Sequence, residues 1–367
     1  MFKAHWQKYT LQFQRPSGTS RGILTSKDSY FIFLEDTHNI GNIAIGECGL
    51  LRGLSHDDRP DYKDKIAEVC QKINNLTALT DVESLLINLV DWPSIRFGVE
   101  MAFQDLSMGA KRLFYENDFI LGKPIPINGL IWMGQPEFMR QQIITKLADG
   151  FTCLKLKIGA IDFETELELL GSIRREFSGD EVEIRVDANG AFSPHNALEK
   201  LHRLAEYDLH SIEQPIKQGQ WQEMAFLCEK TPLPIALDEE LIGINHLKNK
   251  QYLLEVIKPQ YLIFKPSLIG GFSATQEWIN LAEKMNISWW ITSALESNIG
   301  LNAIAQFTAE INNKMPQGLG TGELYSNNIP SPLKVKAGQL HYFSELSWDL
   351  STLRISKGQS SRGNGQR

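Results

Sequence analysis

The sequence predicts a mixed α/β protein: a (β/α) TIM-like barrel of about seven to eight units joined to an α+β capping domain. Three observations carry this. Charged residues recur at nearly even intervals, at Lys155 and Lys157, then Asp187, Glu213, Asp238 and Lys265, with gaps of 30, 26, 25 and 27 residues from Lys157 onward. Each charge ends a short run of strand-forming residues: CLKLK, EIRVD, SIE, IALD and YLIFK. A gap of that size holds one strand, one helix and two loops. The texture of the chain also changes near residue 124, from strands followed by helices to strands alternating with helices.

Residues 1–60 alternate apolar and polar positions, and YTLQF, YFIFLED and NIAIGEC read as strands of an antiparallel meander. Residues 61–118 read as helices: Ile66, Val69, Cys70 and Ile73 lie at helical spacing, and a similar period follows Pro93. From 124 the strand candidates are 125–131, 153–159, 182–187, 210–215, 234–240, 261–266, 287–292 and a short GLGTG at 318–322. Helical segments separate them, and Ser193-Pro194 has the form of an N-cap followed by proline at the first helical position. Repeated β/α alternation gives a parallel sheet, and eight units favour closure into a barrel. No GxGxxG follows a strand, which counts against a nucleotide-binding doubly wound fold. The expected organisation is a cap over 1–123, a barrel over 124–330, a return to the cap over 331–355 and a disordered, glycine-rich tail over 356–367.

The 367 residues carry a net charge of −7, with 42% hydrophobic and 22% charged content. That is the balance of a globular protein, and no basic stripe suggests a nucleic-acid partner. No apolar run is long enough to cross a bilayer. The N-terminal stretch MFKAHWQKYTLQF lacks the apolar centre of a signal peptide, so cytoplasmic residence is the expectation. Cys48, Cys70, Cys153 and Cys228 form no CxxC pair and are expected as buried thiols. Trp289 and Trp290 read as packing residues and His210 as structural, while His56, Asp57 and Asp58 read as a solvated turn.

Asp187, Glu213 and Asp238 offer three hard oxygen donors on successive strands, a set suited to Mg²⁺ or Mn²⁺. Each alone reads more readily as an ordinary surface acid. Together, behind apolar runs, they predict buried charge that a cation would compensate. Lys155 and Lys157 share one strand face, with Leu154, Leu156 and Ile158 on the other. A lysine beside a second lysine and a metal ion is expected to have a lowered pKa and to act as a base. Lys265 is expected across the mouth, so that one lysine faces each side of a substrate carbon. This set suits proton abstraction next to a carboxylate.

The segments LKLKIG, VDANGAF, IEQPI, LDEE, FKPSLIGG and TSALES, within residues 150–325, together resemble the enolase superfamily in its muconate-lactonizing subgroup. Within that subgroup they most resemble the o-succinylbenzoate synthases of menaquinone synthesis. The resemblance implies a small-molecule carboxylate substrate: 2-succinyl-6-hydroxy-2,4-cyclohexadiene-1-carboxylate, dehydrated to o-succinylbenzoate. It implies Lys157 as the base that removes the α-proton and returns it to the departing hydroxide, and Lys155 as its tuning partner. It further implies Lys265 as the opposite-face cation, Asp187, Glu213 and Asp238 as Mg²⁺ ligands, and Glu239 as a residue behind them that pairs with Lys265. Asn189 would face the same site, and Arg185 would lie deeper on the same strand. Ser293 and Leu295 would help bind the succinyl part. Thr19, Ser20 and Arg21, with Leu51 and Gly53, would belong to two lid loops, each of which reads equally as a plain hairpin turn. Glu240 stands where relatives often carry serine.

The same site is compatible with N-acylamino acid racemisation and, third, with cycloisomerisation. Dipeptide epimerisation is disfavoured, because Gly320-Thr321-Gly322-Glu323 lacks a D-x-D segment. A non-catalytic metal- or ligand-binding barrel would not need opposed lysines. A Schiff-base aldolase would not need three carboxylates. Sequence leaves the oligomeric state open.

Overall fold

A computed structural model describes residues 1–19, 22–76, 78 and 80–353, with Thr19 described in its backbone alone. The Ser20 and Arg21 expectations, the side chain of Thr19 and the tail from 354 lie outside the described residues.

The chain opens with an antiparallel sheet in the order β1 (Phe2–Thr19), β2 (Gly22–Asp36), β3 (Ile43–Cys48). β1 and β2 form one long hairpin from Phe2↔Asp36 to Thr19↔Gly22, with a register shift between Gln12 and Ser17. Helices α1 (Tyr62–Asn74), α2 (Asp81–Ile87) and α3 (Pro93–Ser107) follow. The sheet buries Tyr30, Ile32 and Leu34 in one core with Ile66, Val69 and Ile73 of α1 and Ile95 and Val99 of α3. Gly46 and Gly98 let β3 and α3 touch backbone to backbone, where a Cβ on either would overlap its neighbour. Asp57, expected to be solvated, is fully buried instead. Its carboxylate accepts from the Ser94 amide (2.9 Å) and hydroxyl (2.7 Å), which satisfies the first turn of α3.

The expected strand at 125–131 is divided into β4 (Ile125–Pro126) and β5 (Gly129–Ile131). Only β5 joins the barrel, because Pro126 cannot donate to a ladder on both sides. Then come α4 (Pro136–Ala148), β6 (Cys153–Lys157), α5 (Phe163–Arg174), β7 (Glu183–Asp187), α6 (Pro194–Ala205), β8 (Ser211–Glu213), α7 (Trp221–Lys230) and β9 (Ile235–Leu237). The series ends with α8 (Leu247–Ile257), β10 (Tyr261–Phe264), α9 (Pro266–Ile269), α10 (Gly271–Lys284), β11 (Ser288–Ile291) and α11 (Asn298–Ile311). β5 to β11 form one parallel sheet in sequence order.

The eighth stave is reduced to Gln317 and Gly318. The Gln317 amide donates to Pro126 O (2.8 Å) and that of Gly318 to Ile291 O (2.8 Å), while the Asn128 and Ser293 amides donate back (2.9 and 3.0 Å). Gly318 packs directly on Thr292, leaving no room for a side chain. The chain then touches the cap again through Asn327, whose side-chain amide bonds Thr10 O (2.9 Å) and the Gln12 amide (2.7 Å). The final hairpin, β12 (Leu333–Lys336) and β13 (Gln339–Tyr342), pairs with β4, beside the entry to the first barrel strand.

Candidate active site at the barrel mouth

The alternation of the parallel strands decides which side chains meet. In β6, Leu154 and Leu156 pack into the apolar core, while Lys155 and Lys157 point to the barrel axis. Register places Lys157 opposite Asp187 and Asp187 opposite Glu213. Asp238 follows β9 and Lys265 follows β10. All six charges end up at the C-terminal end of the barrel, between 0 and 9% exposed except Lys265, whose side chain is 14% exposed.

The Lys155 ammonium lies 3.0 Å from Asp187 Oδ2 and contacts Glu213 Oε2. Lys157 donates to the same Asp187 oxygen at 2.9 Å and to Asn189 Oδ1 at 2.7 Å. Asn189, at φ +43°, donates its backbone amide to Asp187 Oδ1 (2.9 Å) and its side-chain amide to Glu239 Oε1 (3.0 Å). Lys265 meets Asp238 Oδ2 and stands 3.9 Å from Glu213 Oε1. Its direct partner is therefore Asp238, whereas the expectation paired it with Glu239; the short turn Glu239–Leu241 carries Glu239 toward Asn189. Glu240 accepts from Gln214 (2.9 Å) and the Gly219 amide (2.7 Å), bracing the loop after β8.

Charge balance explains the titration. Burial works against an ammonium at Lys155, but Asp187, Glu213 and Asp238 outweigh it and raise its pKa. Lys265 is raised in the same way against its burial, by Asp238 and Glu213. The rise at Lys155 follows because carboxylates outnumber lysines around it. Asp187 is held well below the carboxylate range: burial opposes this, but Lys155, Lys157 and Lys265 prevail. Glu213 is pushed well up by burial and then by Asp187 and Asp238.

The donor set fits a divalent cation. Asp187, Glu213 and Asp238 are buried oxygen donors on adjacent strands, and neither oxygen of Glu213 receives an aligned hydrogen bond among the described residues. The lysine ammoniums stand among these carboxylates, so no ready cage of three ligands exists among the described residues. A cation would have to displace them and would take over the positive charge they bring to the three carboxylates.

Above this cluster lies a cavity of about 390 Å³ reached by Lys155, Lys157, Asn189 and Lys265. Cap residues Gly22–Leu24 and Leu51–Leu54 close its upper side, so Leu51 and Gly53 line the cavity. Ser293 and Leu295 form one wall. The Ser293 hydroxyl is already taken: it donates to Glu296 (2.6 Å) and accepts from Thr321 (2.7 Å) and the Leu295 amide (3.0 Å). Arg185 does not reach the cavity. It lies one layer down, bonded to Glu183 (2.6 Å) and Pro316 O (2.9 Å), with its guanidinium 4.2 Å from the Trp290 ring. His210 packs against Tyr261 with ring centroids 4.7 Å apart. Sequence reading missed Asn128, Leu130 and Trp132, which line the cavity together with Arg52 and Thr321. Period-two alternation through Asn128, Leu130 and Trp132 was the available signal for these three.

Comparison with known proteins agrees with this geometry. The family model described as enolase C-terminal domain-like matches residues 139–345. A curated o-succinylbenzoate synthase from Desulfotalea psychrophila is 48% identical over 363 residues, covering 91% of this chain and 97% of that protein. The crystal structure of MenC from the same organism superposes with a TM-score of 0.82 at 43% identity, covering 93% of this chain and 99% of that one. A dipeptide epimerase from Enterococcus faecalis, complexed with Mg and the dipeptide L-Leu-L-Tyr, has a TM-score of 0.81 at 20% identity, covering 94% and 97%. At that identity the likeness is one of fold.

Proposed function

Because this chain belongs to the enolase superfamily, we propose that it is an o-succinylbenzoate synthase. The reaction is the dehydration of 2-succinyl-6-hydroxy-2,4-cyclohexadiene-1-carboxylate to o-succinylbenzoate, a hydro-lyase step of menaquinone biosynthesis. The observation that carries the reading is the pair Lys157 and Lys265. They rise from β6 and from the end of β10, with three strands between, and line one cavity over three buried carboxylates. The 48% identity to the curated synthase supports the same reaction.

In this reading Asp187, Glu213 and Asp238 hold Mg²⁺, with Mn²⁺ as a substitute; the complex of the Enterococcus faecalis epimerase with Mg supports divalent-metal use in the fold. Bound there, the cation supplies Lewis-acid charge to the substrate carboxylate. Lys155, beside Lys157 on the same strand face, orients that carboxylate. Lys157 takes the α-proton and delivers it to the departing hydroxide on the same face, so water leaves and the ring becomes aromatic. The Asn189 oxygen 2.7 Å from Nζ aims the lysine. Lys265 faces the developing enediolate from the other side and stabilises it by charge. Leu24, Leu51, Leu54, Leu130 and Trp132 give the rest of the cavity an apolar lining suited to the ring. The four buried free thiols accord with a reducing, cytoplasmic setting, and no helix of the described residues is long and apolar enough to cross a membrane.

The test is an ultraviolet assay of diene loss with purified protein and Mg²⁺. Metal-dependent turnover is expected. Absence of turnover in protein that binds Mg²⁺ would refute the synthase reading, and α-proton exchange on N-acylamino acids would then be measured.

A further inference from the structure

The cavity wall Ser293–Leu295 is strained and held from outside. Leu295 sits at φ +64°, a left-handed conformation that a leucine keeps only where its surroundings impose it. Its amide donates to Ser293 Oγ (3.0 Å) and its carbonyl accepts from the Tyr325 hydroxyl (2.7 Å). Ser293 is in turn held by Glu296. One carboxylate oxygen accepts from Ser293 Oγ (2.6 Å) and the Ala294 amide (2.8 Å), and the other accepts from the hydroxyl of Ser267, two residues past Lys265.

A second carboxylate reaches the same segment from the cap. Glu47, on β3, accepts with one oxygen from Ser29 Oγ (2.7 Å) and the Ser297 amide (2.9 Å). With the other it accepts from Ser297 Oγ (2.5 Å) and the Gly300 amide (2.9 Å). It thereby caps the N-terminus of α11, where a negative charge is favoured. Glu47, Glu296, Ser29, Ser267 and Ser297 are all 0% exposed. Lys27, 5% exposed, donates to Ser29 (3.1 Å) and brings a cation to the two acids. The seam is built for this approach. A Cβ on Gly49 would come within 2.7 Å of Ser267 Oγ, and one on Gly300 within 2.8 Å of Glu296 Cβ and 2.9 Å of Glu47 Oε2. Gly49 leads directly into the cap loop Leu51–Leu54 that lines the cavity.

We propose that Glu47 and Glu296 form a latch across the cap–barrel seam that fixes the cavity wall Ser293–Leu295, and that both are positioning residues for the substrate. The positioning role rests on the reaction assigned above; the latch itself does not. Neither carboxylate lines the cavity among the described residues, so neither is a catalytic residue.

The hydrogen-bond pattern predicts an asymmetry that a merely space-filling role would not produce. Each oxygen of Glu47 accepts a backbone amide hydrogen, which cannot turn away. Glu47→Gln must therefore set an NH₂ against an N–H. At Glu296 only one oxygen faces an amide, and the Ser267 hydroxyl on the other side can rotate to accept. Glu296→Gln should therefore keep KM within about threefold, while Glu296→Ala and Glu47→Gln each raise it about tenfold or more. kcat is expected to change less than threefold, because the lysines are untouched.

Amide hydrogen exchange across 293–300 in substrate-free protein reads the latch separately. It should quicken about tenfold in Glu47→Gln and Glu296→Ala, remain slow in Glu296→Gln, and be unaltered across β6 and β7. If wild-type protein turns over no substrate while 293–300 loosens in this pattern, the reaction assignment falls and the latch stands. Unchanged protection in Glu47→Gln, an equal effect of both Gln variants, or a loss confined to kcat overturns the proposal. Should Glu47→Gln fail to accumulate, Ser29→Ala removes one donor to Glu47 while keeping both charges and the Ser297 cap of α11; it should give a smaller change in the same direction, and no change there also overturns the latch.

Discussion

Replacing Lys157 with methionine isolates the proton-transfer chemistry from the scaffold. Lys157 Nζ donates to Asp187 and Asn189, at 2.9 and 2.7 Å. Its loss does not strand Asp187, because Lys155 remains 3.0 Å from the same oxygen and the Asn189 amide remains on the other. Asn189 keeps its bond to Glu239. Methionine fills a similar volume, so folding should suffer by about 1–2 kcal/mol, the net worth of one or two such bonds. Catalysis should suffer far more. Lys157 is assigned two proton transfers on one face, and each positioned acid or base contributes about 10²–10⁴-fold. A loss of about 10⁴ or greater in kcat follows, roughly 5.5 kcal/mol of barrel-mouth transition-state stabilisation. The assay is steady-state diene loss, run beside urea melts and Mg²⁺ titration of the same preparation. A variant that keeps more than about 1% of wild-type kcat, with fold and Mg²⁺ binding intact, would remove Lys157 as the base.

Chelation should abolish turnover and added Mg²⁺ restore it, while Asp238→Asn should weaken Mg²⁺ affinity in a calorimetric titration by tenfold or more. Asn189→Ala should lower kcat by about 10- to 100-fold, since it loosens Lys157 without removing it, at a folding cost of about 1–3 kcal/mol from its left-handed backbone and the lost side-chain bonds. Burial pushes the Asp57 carboxyl up to about 6, against the hydrogen bonds from Ser94. The folded chain then keeps a proton that the unfolded chain releases near its ordinary value. Stability at this site falls as pH rises from about 4 to 6, by about 3 kcal/mol in all, and urea melts at pH 4.5 and 7.5 should show that difference shrink in Asp57→Asn. Gly318→Ala should destabilise by about 1–3 kcal/mol through its clash with Thr292, visible as a lower Tm.

The barrel was legible because its signals are local. Charges that end apolar runs, at intervals of one β/α unit, mark strand C-termini without any knowledge of contacts, and six of those residues do converge at one mouth. Apolar periodicity likewise marked α1 and α3. Other features depend on partners remote in sequence. Nothing near Pro126 announces that Ile125 will pair with Leu340, or that two residues near Gly318 will stand in for a strand. Asp57 looks like a surface acid until Ser94 folds over it. Glu47 and Glu296 look ordinary in the sequence, because the donors that make Glu47 a latch lie about 250 residues away and only chain closure brings them together. Sequence by itself thus determined the strand ends, their charges and the reaction type those charges allow. The tertiary structure alone decided which lysine pairs with which acid, how the cap seals the cavity and what holds its wall, because these are set by distances between elements that share no local pattern.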